Sequence, residues 1–231
     1  MRFLLLHGLP TGGRYWERLA LPGRVVAPDL IGFGASGAGF VGTGAAMPRS
    51  IEGFLQPLRD LAGPDVCVVG VDFGGVLAAA LAAEGRAGRL VLMSTALGAA
   101  WLPSRWAAHR PFSWGAYDAS GGQLFLRTAD PTGELARAFP REPGVAGRMI
   151  AVARTLRVRE QRRMRAAIRA RGVPTLCLWG REDRFLPPSV GRRLARQLGG
   201  AYADLPGAHA LAWTGAAGVV ENIVGFCTTK K

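Results

Sequence analysis

One stretch constrains the fold more than any other. A valine-rich run, Val66 to Val69, leads into Gly70-Val71-Asp72-Phe73-Gly74-Gly75, and an Ala/Leu-rich run, Val76 to Ala83, leads out. The first run reads as a buried strand and the second as a helix. Only a sharp turn separates them, and Gly70 and Gly74 leave space where a Cβ would collide with neighbouring backbone. The alternation continues on both sides. Strands are expected over residues 2–6, 24–27, 66–69, 89–93, 174–179 and 201–205, and helices over 14–19, 50–61, 75–84, 188–198 and 215–228. That order argues for an α/β fold: a mostly parallel sheet with helices on both faces.

The apex of the turn is Asp72, in a small-x-Asp-x-small spacing that matches the G-x-S-x-G nucleophile elbow with a carboxylate in place of the hydroxyl. A serine there makes acyl-enzymes. A carboxylate can instead displace a leaving group at a saturated carbon and form an ester on the enzyme itself. Water must then cleave that ester, which requires a general base, usually His, oriented by a second acid. The expected chain order is nucleophile, acid, His. The strand around 174–179 is followed by Arg181-Glu182-Asp183-Arg184-Phe185, where Asp183 is the expected acid and Glu182 the alternative. The last strand is followed by Pro206-Gly207-Ala208-His209, and of the three histidines (His7, His109, His209) only His209 stands where the mechanism needs one. A Gly-flanked aspartate alone could be a capped turn. Asp72, Asp183 and His209 together read as a catalytic set, which requires no metal and no cofactor.

With those residues in place, the chain resembles the α/β-hydrolases, and within them the aspartate-nucleophile branch of epoxide hydrolases and haloalkane dehalogenases. The match runs from Leu4-Leu5-Leu6-His7-Gly8-Leu9-Pro10, through Arg24-Val25-Val26-Ala27-Pro28-Asp29-Leu30-Ile31-Gly32-Phe33-Gly34-Ala35-Ser36, to the elbow, the Asp183 loop and His209. The resemblance implies that His7 shapes the oxyanion-hole loop, that Asp29 is a turn residue, and that the backbone N–H groups of Leu9 and Phe73 are the oxyanion donors. It further implies a core of residues 1–95 and 173–231 with a helical cap inserted over 96–172, and a sheet lacking the N-terminal strand pair common in relatives. His109 falls in the cap segment and is expected to be a surface or packing residue.

Departures from the branch bear on the activity. Dehalogenases usually place Trp after the nucleophile to stabilise departing halide; this chain has Phe73, and Leu9 where an Asn donor can stand. Epoxide hydrolases typically use cap tyrosines as acids, and of Tyr15, Tyr117 and Tyr202 only Tyr117 is in the cap segment. Trp101, Trp106 and Trp114 are the indole donors there. The resulting expectation is a hydrolase forming an ester on Asp72, with epoxide opening placed ahead of dehalogenation. An orphan hydrolase on another electrophile, or a silent binding protein, stays open.

Composition sets limits on partners. The 231 residues suffice for one domain with an inserted lid, and no apolar run approaches the ~18 residues of a membrane span. Residues 1–6 are too short for a signal-peptide core. The formal charge of +13 comes almost wholly from arginine, since Lys230 and Lys231 are the only lysines. This resembles a compositional bias more than a nucleic-acid stripe. The densest cluster, Arg154 to Arg171, accompanies an apolar stripe of Ala153, Leu156, Met164, Ala167 and Ile168, so a solvated helix face is expected, with Glu160 out of pattern. Cys67, Cys177 and Cys227 lack metal-ligand spacing and read as buried, unpaired thiols of a cytoplasmic protein. Gly37 to Ala46 reads as a surface loop. The expected partner is a small-molecule substrate, not nucleic acid or membrane, acted on by a monomer or homodimer.

Overall fold

The computed structural model describes residues 1–40, 46–95, 97, 119–214 and 218–229. Six strands form one sheet in the order β2-β1-β3-β4-β5-β6: β1 (Arg2–Leu6), β2 (Arg24–Val26), β3 (Gly63–Val71), β4 (Ala87–Met93), β5 (Thr175–Gly180) and β6 (Ala201–Leu205). Every pairing is parallel. The central strands are buried on both faces, which is why Phe3 to Leu6 and Leu90 to Met93 are unbroken apolar runs. β3 sits between β1 and β4, with Leu6 opposite Gly70 and Met93 opposite Val71. The chain leaves β1 toward β2 on one side and β3 toward β4 on the other. Between β1 and β3 the strand order therefore reverses, and in open α/β sheets ligands bind in the crevice at such a point.

Helices α1 (Ile51–Leu55), α2 (Asp72–Ala83), α3 (Gln123–Ala129), α4 (Glu134–Ala138), α5 (Val145–Thr155), α6 (Val158–Ala170), α7 (Pro188–Leu198) and α8 (Val219–Thr228) complete the described architecture. Phe73 to Ala82 of α2 are all buried, as expected of a helix that is apolar all round. α6 packs against α2 and α7, while α3 packs against α4.

Local chemistry explains where the elements differ from expectation. The helix expected over 50–61 opens on Ser50, whose hydroxyl accepts from Gly53 N–H, but turns to 3-10 geometry over Gln56–Leu61. Pro57 has no N–H with which to continue the i→i−4 ladder. Residues 14–19 make only a 3-10 turn, Gly13–Trp16. Part of the expected loop at 37–46 is helical, since 3-10 turns run over Gly34–Phe40; 41–45 lie outside the described residues. The apolar stripe around 153–168 belongs to two helices, because Leu156 and Arg157 leave helical geometry between α5 and α6.

The arginine-rich face of α6 is largely exposed, and two cations at its end have defined work. Arg171 Nε donates to the Ala83 carbonyl at the end of α2 (2.9 Å), and Arg169 donates to the Arg196 carbonyl near the end of α7 (3.3 Å). Each sits at the negative end of a helix dipole. Glu160 lies 4.0 Å from Arg157 and lines a surface groove with Met164. Among the described residues no helix is long and apolar enough to cross a membrane.

Candidate active site

The turn from β3 into α2 holds Asp72 at φ +50, in the left-handed region that costs a non-glycine residue about 1–3 kcal/mol. Tight packing enforces it. A Cβ on Gly74 would strike the Leu6 carbonyl oxygen, and one on Gly70 would strike the Gly74 carbonyl oxygen. Thr95, just after β4, secures the apex from the other side: its hydroxyl donates to the Asp72 carbonyl at 2.7 Å. The carboxylate is thereby presented at the carboxyl end of the sheet, at the N-terminus of α2, where the helix dipole favours negative charge.

Across the crevice, the loop after β1 meets it. Leu9 N–H donates to Asp72 Oδ2 at 3.1 Å. The loop is shaped by His7, which is fully buried. Its Nδ1 lies 2.8 Å from the Gly8 carbonyl and its Nε2 accepts from Leu30 N–H at 2.9 Å. Burial lowers the His7 pKa to about 4, so the ring is neutral and carries its proton on Nδ1, donating to Gly8. Asp29 is likewise engaged with backbone, accepting from Gly13 N–H at 2.6 Å and Ala35 N–H at 2.8 Å.

The acid loop and the His loop are joined by backbone bonds. Arg181 N–H donates to the Leu205 carbonyl (2.9 Å) and Glu182 N–H to the Gly207 carbonyl (3.0 Å). Glu182 returns its carboxylate to Gly207 N–H, which makes it a tie between the loops, and Asp183 is the carboxylate that reaches the histidine. Asp183 Oδ1 accepts from the N–H groups of Phe185 and Leu186, both at 2.9 Å. Oδ2 is thus aimed at His209 Nδ1, also at 2.9 Å. Trp179 braces the loop by donating its indole N–H to the Leu186 carbonyl at 2.7 Å. Ala210 N–H bonds the Ala129 carbonyl, so α3 is attached directly to the His209 loop.

Electrostatics couples the three groups. Burial raises the Asp72 pKa above the usual carboxylate range. The charge of His209 and the N–H groups of Leu9 and Phe73 pull it back, and Asp183 adds to the rise. For His209, burial works to lower the pKa, but the charge and hydrogen bond of Asp183, with the charge of Asp72, lift it above the ordinary value. Phe125 and Phe185 stack on each other at 4.8 Å and meet the His209 ring edge-on at 6.5 and 5.2 Å.

The structure therefore brings Asp72, Leu9 and Phe73 together and pairs Asp183 with His209. Tyr117, Trp101, Trp106, Trp114 and His109 lie outside the described residues. Sequence reasoning missed Thr95, which has no motif of its own, and the Phe125–Phe185 stack, which joins distant segments. It also set Tyr15 aside for lying outside the cap segment. Tyr15 is buried, its ring stacks on Trp213 at 6.4 Å, and burial above all, then the negative charges of Asp72 and Asp183, hold its hydroxyl protonated.

Comparison with known proteins agrees with this architecture. A similar fold is seen in a thioesterase domain from the curacin biosynthetic pathway (TM-score 0.68, 20% identity, 96% of this chain and 90% of that one). An enol-lactonase from Burkholderia xenovorans LB400 gives TM-score 0.72 at 23% identity over 99% and 91% of the two chains. A loop variant of a haloalkane dehalogenase from Bradyrhizobium elkanii gives 0.73 at 18% over 98% and 88%. No curated protein matches the sequence at a significant level. The model of the alpha/beta hydrolase family matches residues 3–221, nearly the whole sequence, and the chain belongs to that family.

Proposed function

We propose that this hydrolase works through a covalent ester on Asp72, with His209 as the base for its hydrolysis and Asp183 as the residue that positions His209. One observation carries the reading: the carboxylate at the elbow apex rests with Oδ2 on the Leu9 N–H at 3.1 Å, in the place where oxyanion donors converge. Oδ1 is then left to attack an electrophilic carbon. The bond from that carbon to its leaving group breaks as the ester forms. His209, oriented through Nδ1, takes a proton from water through Nε2, and the water attacks the Asp72 carboxyl carbon. The N–H groups of Leu9 and Phe73 receive the negative oxygen, and collapse frees the product alcohol and regenerates the carboxylate.

The surroundings favour a small apolar substrate. Phe125 and Phe185 stand against the His209 ring, and Leu9 carries the N–H that meets Asp72. Epoxide opening is placed ahead of dehalogenation, because neither Leu9 nor Phe73 carries a side-chain N–H for a departing halide. A haloalkane dehalogenase among the similar folds keeps halide displacement as the alternative.

A single-turnover reaction in ¹⁸O-water against panels of epoxides and haloalkanes tests the reading. The expected result is ¹⁸O in the peptide containing Asp72, with the first-turnover product carrying an oxygen from the enzyme. Label that enters product alone, or an adduct on Glu182, Asp183 or a cysteine, overturns it.

A further inference from the structure

Midway along β3, five residues before Asp72, lies a second chemical feature. Cys67 of β3 and Cys227 of α8 place their sulfurs 2.9 Å apart, within one S–H hydrogen bond, although 160 residues separate them. Both are buried, at 4% and 8% exposure, yet they line a surface cavity of about 230 Å³ with Arg89, Asp65 and Gly88. Arg89 is Cys67's partner in the β3–β4 register, and its guanidinium donates to the Thr229 carbonyl just past α8 at 2.6 Å. A cation is thus fixed beside two thiols at an opening to solvent. The third thiol has none of this: Cys177 is fully buried.

We propose that Cys67 and Cys227 form a peroxide-oxidised dithiol whose disulfide ties α8 to β3. The Cys227 sulfur, as thiolate, attacks one peroxide oxygen; the O–O bond breaks, and hydroxide leaves and takes a proton to become water. Cys227 is then a sulfenic acid. The Cys67 sulfur displaces its hydroxyl, giving up the thiol proton, so that an S–S bond forms, the S–O bond breaks and a second water departs. Two thiols have lost two electrons and two protons to one peroxide. The sulfurs need approach by only about 0.9 Å to reach disulfide length. Cys227 is the attacking sulfur because it is the more exposed of the two, at 8% against 4%, and the charge of Arg89 beside it favours its thiolate. Burial pushes the Cys177 thiol up to about 12, which leaves it inert.

The placement gives the bond a consequence. β3 leads directly into Asp72, and α8 comes after the His209 loop in the chain, so the disulfide would fix the C-terminal helix to the strand that feeds the elbow. Five residues of strand, about 17 Å, separate it from Asp72. It therefore acts on anchorage and not on the carboxylate itself.

The test uses the intact wild-type chain treated with hydrogen peroxide near stoichiometry, alkylated and digested with trypsin. Cleavage places Cys67 in 60–86, Cys227 in 197–230 and Cys177 in 172–181. The expected species is a 60–86 and 197–230 pair, two mass units below the sum of its reduced peptides, with 172–181 alkylated as a free thiol. The wild-type Tm should rise on the order of 10 °C on oxidation and fall back with dithiothreitol. Cys177→Ser should retain the rise. A bond involving Cys177, Cys227 sulfinic acid with Cys67 still alkylatable, or a cross-link that leaves Tm unchanged would each overturn the proposal.

Discussion

Asp183 and His209 are bound through a single 2.9 Å contact, and the other oxygen of Asp183 is fully engaged by two backbone N–H groups. The acid therefore has one orientation, and the imidazole inherits it. Asp183→Asn offers an amide whose N–H₂ conflicts with the histidine N–H and should lower turnover by about 10³–10⁴-fold while the protein stays folded. Glu182→Gln, which alters only the tie to Gly207, should change turnover far less. Steady-state rates with matched circular dichroism spectra decide between them, and a larger loss in Glu182→Gln would reverse the assignment.

His209→Gln should separate the two chemical steps. Ester formation needs no base, so the variant should accumulate a stable adduct on peptide 60–86, visible by mass after one turnover. Asp72→Ala should give neither adduct nor product.

Asp72 is expected to destabilise the fold when ionised. Its folded pKa is raised, so between the unfolded and folded values the native state holds more protons, and stability falls as pH rises through that window. Asp72→Asn keeps an oxygen for the Leu9 N–H and removes the charge. It should be more stable than wild type at pH 7 by about 0.5–2 kcal/mol, a common yield for a stabilising substitution. The advantage should vanish below the unfolded carboxylate pKa, where both side chains are neutral. Thermal melts from pH 3 to 8 would show it, and equal melts at pH 7 would refute it.

Thr95→Val should loosen the elbow without touching the carboxylate. The Asp72 carbonyl loses its 2.7 Å donor, at about 1–3 kcal/mol for an acceptor left without a partner. Thr95→Ser should restore most of the loss. A fall in kcat that Ser rescues, with Tm following the same order, is the expected pattern.

The parts of this protein legible in its sequence were those set by local periodicity or by chemistry. β1 has the expected ends because its buried run Phe3 to Leu6 is bounded sharply, and β6 has them because Gly199-Gly200 and Pro206-Gly207 bracket it. β3 starts three residues early, at Gly63-Pro64-Asp65, where no strand-forming residue announces it and the register to β4 shifts before Cys67. The pairing of Asp183 with His209 could be anticipated because the proposed mechanism asks for an acid and then a base in chain order. Thr95 could not, since a hydroxyl reaching another strand's carbonyl leaves no spacing behind it. The adjacency of Cys67 and Cys227 was hidden for the same reason: it exists only once α8 lies on the sheet.

The contact between Leu9 and Asp72 spans 63 residues and exists only because β1 docks beside β3. Closing a loop of that length is an entropic expense borne before the contact gives anything back. A nascent chain that has made the β3–α2 hairpin of strand and helix thus owns its strained aspartate but not the amide that receives it. The amide meets the carboxylate only with the pairing of the two strands, so the slow exchange of one proton, that of Leu9, reports whether β1 has docked beside β3.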